Sequence, residues 1–191
     1  MKIKQGENNM KKLKLSFIPA VALLLMSPLG YAQGLGTTTV TNQVSVTVAA
    51  EAALTVGASA TTLTSVGTNF SDYTGTTLLT YFIRTTNTGG TGFIKLQVTT
   101  DFAPTGGPSV GSAPTAGDTL SYMCSVSSPG TPCSGPLTSS ISTQTSVATF
   151  GTNNHSTKTG NSASVLWTLS NDPLYVTGSY TAVVTYTISA S

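Results

Sequence analysis

The chain has 191 residues, of which 7% are charged, and its formal net charge is +2. Five of the eight Lys and Arg residues lie in the first 14 positions, so residues 33–191 keep three cations against five acids, a net charge of −2. A chain with no basic patch releases few counterions from phosphate, which excludes nucleic acid as an expected partner.

Residues 1–32 have the organisation of a secretory leader. The five lysines precede an uncharged, largely apolar run over 15–32, and Ala32 is a small residue at the expected cleavage point. Met10, followed by Lys-Lys-Leu-Lys, is the more conventional start of such a leader. The apolar run is too short to span a bilayer comfortably. We therefore expect a secreted or cell-surface protein with one domain over 33–191 and no integral membrane segment once the leader is removed.

The first alternating pattern after the leader lies within residues 37–48. Val44, Val46 and Val48 alternate with polar residues, which is typical of a strand with one apolar face. Two interpretations stay open. The segment is the first, half-buried strand of a self-contained domain, or it is a donated strand whose valines fill a groove in a neighbouring subunit.

Alternation with period two recurs along the rest of the chain, and no stretch predicts a helix of useful length. Turn sequences rich in Gly, Pro, Asn and Asp separate the alternating stretches. The pattern predicts an all-β fold, an antiparallel immunoglobulin-like β-sandwich of about seven or eight strands. The strands predicted after the valine segment are 54–56, 78–86, 94–98, 119–126, 147–150, 163–169 and 179–189.

One stretch matches a catalytic pattern. Gly-Pro-Ser-Val-Gly at 107–111 fits the G-x-S-x-G pattern of serine hydrolases, but Pro108 precedes the serine and no predicted helix follows. The only histidine, His155, lies in a polar stretch that predicts an exposed loop and not a general base. The acids are scattered singly, without the spacing of a calcium loop. We predict no enzyme, no catalytic residue and no cofactor.

Cys124 and Cys133 are the only two cysteines. They bracket a Pro-Gly turn at 129–130, and in an oxidising compartment an even count at close spacing predicts one disulfide. A metal site would need further ligands, and the sequence has no C-x-x-C pair, so we predict no metal.

The C-terminal stretch 160–191 holds two alternating segments around a turn. Trp167 shares a face with Val165 and Leu169, and Tyr180 opens the last segment, so we predict both aromatics to be core anchors, with an aromatic ligand platform as the alternative. The sequence Gly-Ser-Tyr-Thr-Ala-Val-Val-Thr-Tyr from residue 178 resembles the closing Gly-x-Tyr-x-Ala-x-Val-x-Tyr strand of secreted bacterial immunoglobulin-like and fimbrial sandwich proteins. The resemblance implies the sandwich fold.

Low charge, Thr-rich alternation and the N-terminal valine segment together favour a structural subunit of a surface fibre, pilus or layer. Its expected partners are copies of itself or related surface subunits. The alternative is a monomeric adhesin or carbohydrate-binding module, whose loops would contact a glycan or receptor.

Overall fold

The computed structural model describes residues 39–191, so the predicted leader lies outside the described residues. The prediction of an all-β protein is confirmed over this range, in which every regular element is a strand. The described part of the chain contains no helix long and apolar enough to cross a membrane. The strands are β1 Glu51–Val56, β2 Thr64–Ser65, β3 Tyr73–Arg84, β4 Gly92–Ala103, β5 Leu120–Val126, β6 Thr131–Pro132, β7 Leu137–Thr138, β8 Thr145–Phe150, β9 Asn161–Leu169 and β10 Thr181–Ala190.

The strands form two antiparallel sheets within the compact unit Ser45–Ser191. The larger sheet has the order β1-β3-β9-β5-β7, with the short β2 also paired to β3. The smaller sheet has the order β10-β4-β8-β6. Strands that are neighbours in a sheet are mostly distant in sequence, so the fold depends on long-range pairing.

Both sheets contribute their inward-facing residues to one buried cluster. Ile94, Leu96 and Val98 of β4 are fully buried, as is Val165 of β9 in the other sheet. The rings of Tyr81 in β3 and Phe150 in β8 meet across the sheets, with 5.1 Å between their centroids. The two sheets therefore face each other across a shared core, and we call them together the two-sheet body.

Trp167, a predicted core anchor, is 4% exposed and belongs to this cluster. Its ring lies 5.4 Å from that of Tyr122, its cross-strand neighbour, measured between centroids. The indole N–H donates a hydrogen bond of 2.9 Å to the Thr77 hydroxyl, which is also 2.7 Å from the Thr61 hydroxyl. The buried polar atom of the indole is therefore satisfied inside the core.

Tyr180, the other predicted core anchor, is half-buried and lies outside the buried cluster. The reason is that β10 begins only at Thr181, so Tyr180 belongs to the connection that precedes the strand. Its hydroxyl donates to the Val176 carbonyl, and its ring packs so closely over Gly107 that a Cβ there would lie 2.2 Å from a ring carbon. Tyr180 therefore holds two loops together.

The predicted disulfide between Cys124 and Cys133 is present, with 5.5 Å between the two Cα atoms. Cys124 lies in β5 of the larger sheet. Cys133 directly follows β6, and its N–H donates a 3.0 Å hydrogen bond to Val147 in β8 of the smaller sheet. The bond therefore links the two sheets as well as closing a short loop.

The body has two ends that matter for the site. We call one the exit end, because residues 45–50 lead into β1 there. The start of β1 at Glu51 pairs with the end of β3 at Arg84, and the start of β4 at Gly92 pairs with the end of β10 at Ala190. The connections 85–91 and 151–160 therefore lie at this end as well. At the opposite, loop end lie the connections 66–72, 104–119 and 170–180.

We expect Trp167→Ala to lower the free energy of unfolding by about 3–5 kcal/mol, because it empties a large buried volume and removes the Thr77 contact. Chemical denaturation followed by circular dichroism measures this loss. Trp167→Phe is the matched control: it keeps most of the volume, so it should lose clearly less. A loss below about 1 kcal/mol for Trp167→Ala would contradict burial at this position.

Replacing both cysteines, Cys124→Ser with Cys133→Ser, should lower the free energy of unfolding by about 2.7 kcal/mol in the chain-entropy model, since the closed loop has about ten residues. The native protein should show no free thiol by mass spectrometry after alkylation, and added reductant should bring its stability to that of the double variant. A double variant as stable as the oxidised protein would argue against the stabilising link.

Candidate functional site

The N-terminal valine segment is exposed in the single chain. Residues 39–50 form no strand in the single chain, whereas the first of the two interpretations of the segment expects a half-buried strand there. Val44, Val46 and Val48 are 89%, 84% and 63% exposed. Full burial of one such side chain is worth about 1.5 kcal/mol or more. A partner that covered the three valines would therefore gain binding free energy from their burial.

Arg84 holds the point from which this segment leaves the body. Its Nε–H donates to the Ala49 carbonyl at 2.7 Å, and its Nη2 group donates to the Glu51 carboxylate at 2.9 Å. An exposed ion pair adds little stability. The rigid guanidinium fork nevertheless bonds both the Ala49 carbonyl and the Glu51 carboxylate, and Glu51 is itself paired with Arg84 in the sheet, so the segment starts from a defined position at the exit end.

The second feature is the free edge of β10. This ten-residue strand is at the margin of its sheet and pairs with β4 alone. Edge strands are normally protected by charged residues, prolines or bulges. β10 contains neither a charge nor a proline, and its register is irregular only between Thr181 and Val184. Its remaining residues therefore present a regular, unprotected edge.

The other side of the body has short edges. β6 and β7, which end the two sheets there, have two residues each, and β6 contains Pro132. On the β10 side, the edge of the larger sheet is β1, whose Cα atoms come within 8 Å of β10 without hydrogen bonding between the strands. The body thus has short edges on one side and long edges on the other.

The core is also less covered beside β10. The inward-facing row of β4 is fully buried, whereas the corresponding row of β10 is only half-buried. The buried hydroxyl of Tyr186 in that row has no hydrogen-bond partner among the described residues. The inward row of β10 consists of Ala182, Val184, Tyr186, Ile188 and Ala190.

Ser109 of the G-x-S-x-G stretch takes part in a network of local hydrogen bonds. The Ser109 hydroxyl donates to the Asp101 carboxylate at 2.6 Å and accepts the N–H of Ser112 at 2.8 Å. The same carboxylate accepts the N–H groups of Phe102, Val110 and Gly111 at 2.8, 2.7 and 3.0 Å. Asp101 therefore ties the loop after β4 back onto the strand.

These contacts act on the pKa of Asp101. Burial by itself raises it, but the Ser109 hydroxyl and the three N–H groups favour the charged form and together lower the pKa below its ordinary value.

The fold does not bring Ser109 and His155 together. His155 pairs with Arg84 at the exit end, and its Nε2 lies 2.8 Å from the Asn153 side-chain oxygen. Asp101 and Ser109 lie near the other end of β4, roughly 30 Å away at about 3.3 Å per strand residue. Over residues 39–191 no group of three or more His, Cys, Asp or Glu residues could hold a metal ion.

A depression of about 400 Å³ lies beside His155, between β1 and β3 at the exit end. Its polar groups already have partners: Arg84 and Glu51 bond each other, and Ser156 bonds the backbone of Ile83. His155 also lines the depression, and its Nε2 lies 2.8 Å from the Asn153 side-chain oxygen.

Comparison of the chain with protein-family models, curated proteins and solved structures finds no match.

The free edge of β10 has a sequence signal, since residues 181–190 carry neither charge nor proline. That signal does not distinguish an edge strand from a central one. The Asp101 contacts have no signal of this kind, because a single Asp before a Pro-Gly loop is common turn chemistry.

We expect Asp101→Asn to lower the melting temperature at neutral pH, because the amide cannot accept all four hydrogen bonds. Since the folded pKa is depressed, this stabilisation is present above the ordinary Asp pKa, about 3.9, and is lost as the pH falls through the lower folded value. The variant should therefore lose less stability than the wild type between about pH 5 and pH 3. Thermal melts at several pH values measure both effects.

Ser109→Ala is the control, since it removes one donor and leaves the carboxylate and three N–H groups in place. Its melting temperature should lie between those of the wild type and Asp101→Asn. Identical pH profiles for the wild type and Asp101→Asn would show that the carboxylate does not stabilise this loop.

Proposed function

We propose that this protein is a secreted, non-catalytic structural subunit that assembles with copies of itself into a cell-surface fibre, pilus or layer. In this proposal its two-sheet body is an immunoglobulin-like β-sandwich, and the N-terminal segment of one copy adds as a strand to the edge of β10 in the next. The observation that carries the proposal is the coexistence of a long, unprotected strand edge with an exposed valine row in one chain.

The two features complement each other in spacing and chemistry. The valines at 44, 46 and 48 repeat every second residue, as do Val184, Tyr186 and Ile188 in the half-covered row of β10. A segment paired in register would lay its valines over the open part of the core. Its polar residues would face solvent together with the threonines of β10.

The energies indicate which contacts the assembly needs. Burying three valines gives roughly 5 kcal/mol, whereas ordering about ten backbone residues costs at least about 10 kcal/mol. Main-chain hydrogen bonds along the edge, each worth about 0.5–1.5 kcal/mol, must contribute the rest. Affinity therefore depends on the length of the free edge, and β10 is the long edge of its sheet.

One observation favours the alternative, a monomeric adhesin or carbohydrate-binding module. Phe70, at the loop end, is 62% exposed and has a φ of 58°, which is rare for a bulky side chain. Leu174 and Val176 are exposed on another connection at the same end. The two connections are in contact, since the Asn171 side-chain amide donates a 3.1 Å hydrogen bond to the Ser71 carbonyl. Strained, exposed apolar residues of this kind are found at contact surfaces.

Deleting residues 33–47 tests the assembly directly. All ten strands lie outside the deletion, so we expect a folded protomer by circular dichroism that forms no polymers in gel filtration. A synthetic peptide of residues 33–48 should bind this protomer, and the same peptide with the three valines replaced by serine should not.

The matched control keeps the valines and changes the polar row, Ser45→Thr with Thr47→Ser, and should polymerise as the wild type does. A deletion variant that unfolds would favour the interpretation of the segment as the first strand of its own domain. A full-length protein that stays monomeric at high concentration, with no polymers on native cells, would favour the binding module.

A further inference from the structure

The few charged groups of the body are separated between its two ends. Within residues 39–191 the cations lie toward the exit end and four of the five acids lie at the loop end. The exit-end group consists of Arg84, Lys95, Lys158 and Glu51, and the loop-end group consists of Asp72, Asp101, Asp118 and Asp172. The side chains of the described residues thus sum to a formal charge of +2 toward one end and −4 at the other.

The positive charge at the exit end is available to a partner. Arg84 is neutralised by Glu51, but Lys158 is exposed in the connection 151–160. Lys95, the fourth residue of β4, has its ammonium group 4.5 Å from the centre of the Phe93 ring, on the outer face of the sheet. Two lysines therefore carry the net charge of this end.

The negative charge at the loop end is not compensated by any Lys or Arg side chain of residues 39–191. Tyr175 donates to Asp118 at 3.1 Å, and the Leu174 N–H donates to Asp172 at 2.8 Å. Burial raises the pKa of Asp118, and the neighbouring charges of Asp172 and Asp72 raise it further, which reflects like-charge repulsion at this end. No Lys or Arg of the described chain lies among these aspartates.

The distance between the ends keeps them electrostatically separate. Strand β4 runs from one end to the other with twelve residues, a length of roughly 40 Å. The Debye length at physiological salt is about 8 Å, so each end acts on a partner by itself.

We infer that the loop end of one copy docks against the exit end of the next, and that this charge complementarity sets the direction of assembly. The inference rests on the proposed function and goes beyond it, since it specifies which surfaces of two copies meet. A head-to-tail contact of unlike surfaces does not close on itself in a dimer, so it allows further copies to add in the same direction.

Strand direction leads to the same arrangement. β10 runs from the loop end at Thr181 to the exit end at Ala190. A donated segment antiparallel to β10 therefore enters with Val48 at the neighbour's loop end, which brings the donor's exit end there. A parallel segment would bring two exit ends together, each with a side-chain charge of +2. Charge repulsion thus disfavours the parallel mode, which is also the slightly weaker pairing.

Two variants of the full-length protein separate this effect from net charge. Lys158→Glu lowers the net charge by two at the exit end. Thr68→Glu with Thr105→Glu lowers it equally at the loop end, at two exposed positions. Polymer formation is followed by light scattering between about 0.01 M and about 0.15 M NaCl, over which the Debye length falls from about 30 to about 8 Å.

At low salt we expect Lys158→Glu to slow the initial rate by about threefold or more and the double variant to accelerate it. Both differences should shrink as salt is added. Equal changes in the same direction would mean that only net charge matters, and unchanged rates would mean that the ends do not meet; either result overturns the inference.

A third variant distinguishes failure of this inference from failure of the proposed function. Val44→Ser, Val46→Ser and Val48→Ser in one full-length chain remove the donated row but leave both ends intact. This chain should still show weak, salt-sensitive association at low salt, and adding Lys158→Glu should abolish it. If the wild type forms no polymers, the proposed function fails, while association or its absence in this variant still decides the end-to-end contact.

Discussion

A β-strand has hydrogen-bonding groups on both of its sides, and β10 has a partner on only one of them. The proposed assembly depends on this unpaired side of β10. The opposite side of the body ends in two-residue strands and Pro132, which leave little edge to extend. Beside β10, the inward row is half-covered and no charge or proline blocks the edge. The exposed valines repeat every second residue, as the inward row of β10 does, and this shared spacing supports the proposed strand addition.

Because the described region has few charged side chains, each one contributes a large share of its electrostatic field. The surface is made polar mainly by threonine and serine hydroxyls, which hydrogen-bond but exert no long-range field. Eight charged side chains of the described region therefore set its electrostatics. One, Asp101, organises the loop after β4 through four hydrogen bonds, and another, Arg84, fixes the start of the valine segment. The others are divided between the two ends of the body.

Much of the fold was predictable because its long strands alternate. Seven of the ten strands overlap the predicted stretches, with the bounds displaced by a few residues, most of all in β3 and β4. The missed strands, β2, β6 and β7, have two residues each, too few to show a period. Tyr180 was misplaced because alternation continues beyond the start of β10, although the backbone there already belongs to a loop. The disulfide was predictable because only two cysteines exist.

Sequence alone determined the strand class, the apolar faces and the cysteine pair, since these follow from neighbours along the chain. Only the tertiary structure decided that β10 lies at an edge, that the disulfide links two sheets and that Ser109 meets Asp101 and not His155. The same holds for the separation of cations from aspartates, which are interspersed in sequence. The physical reason is that strand order and the ends at which loops gather are set by pairing between residues far apart in the chain, and local periodicity carries no information about that pairing.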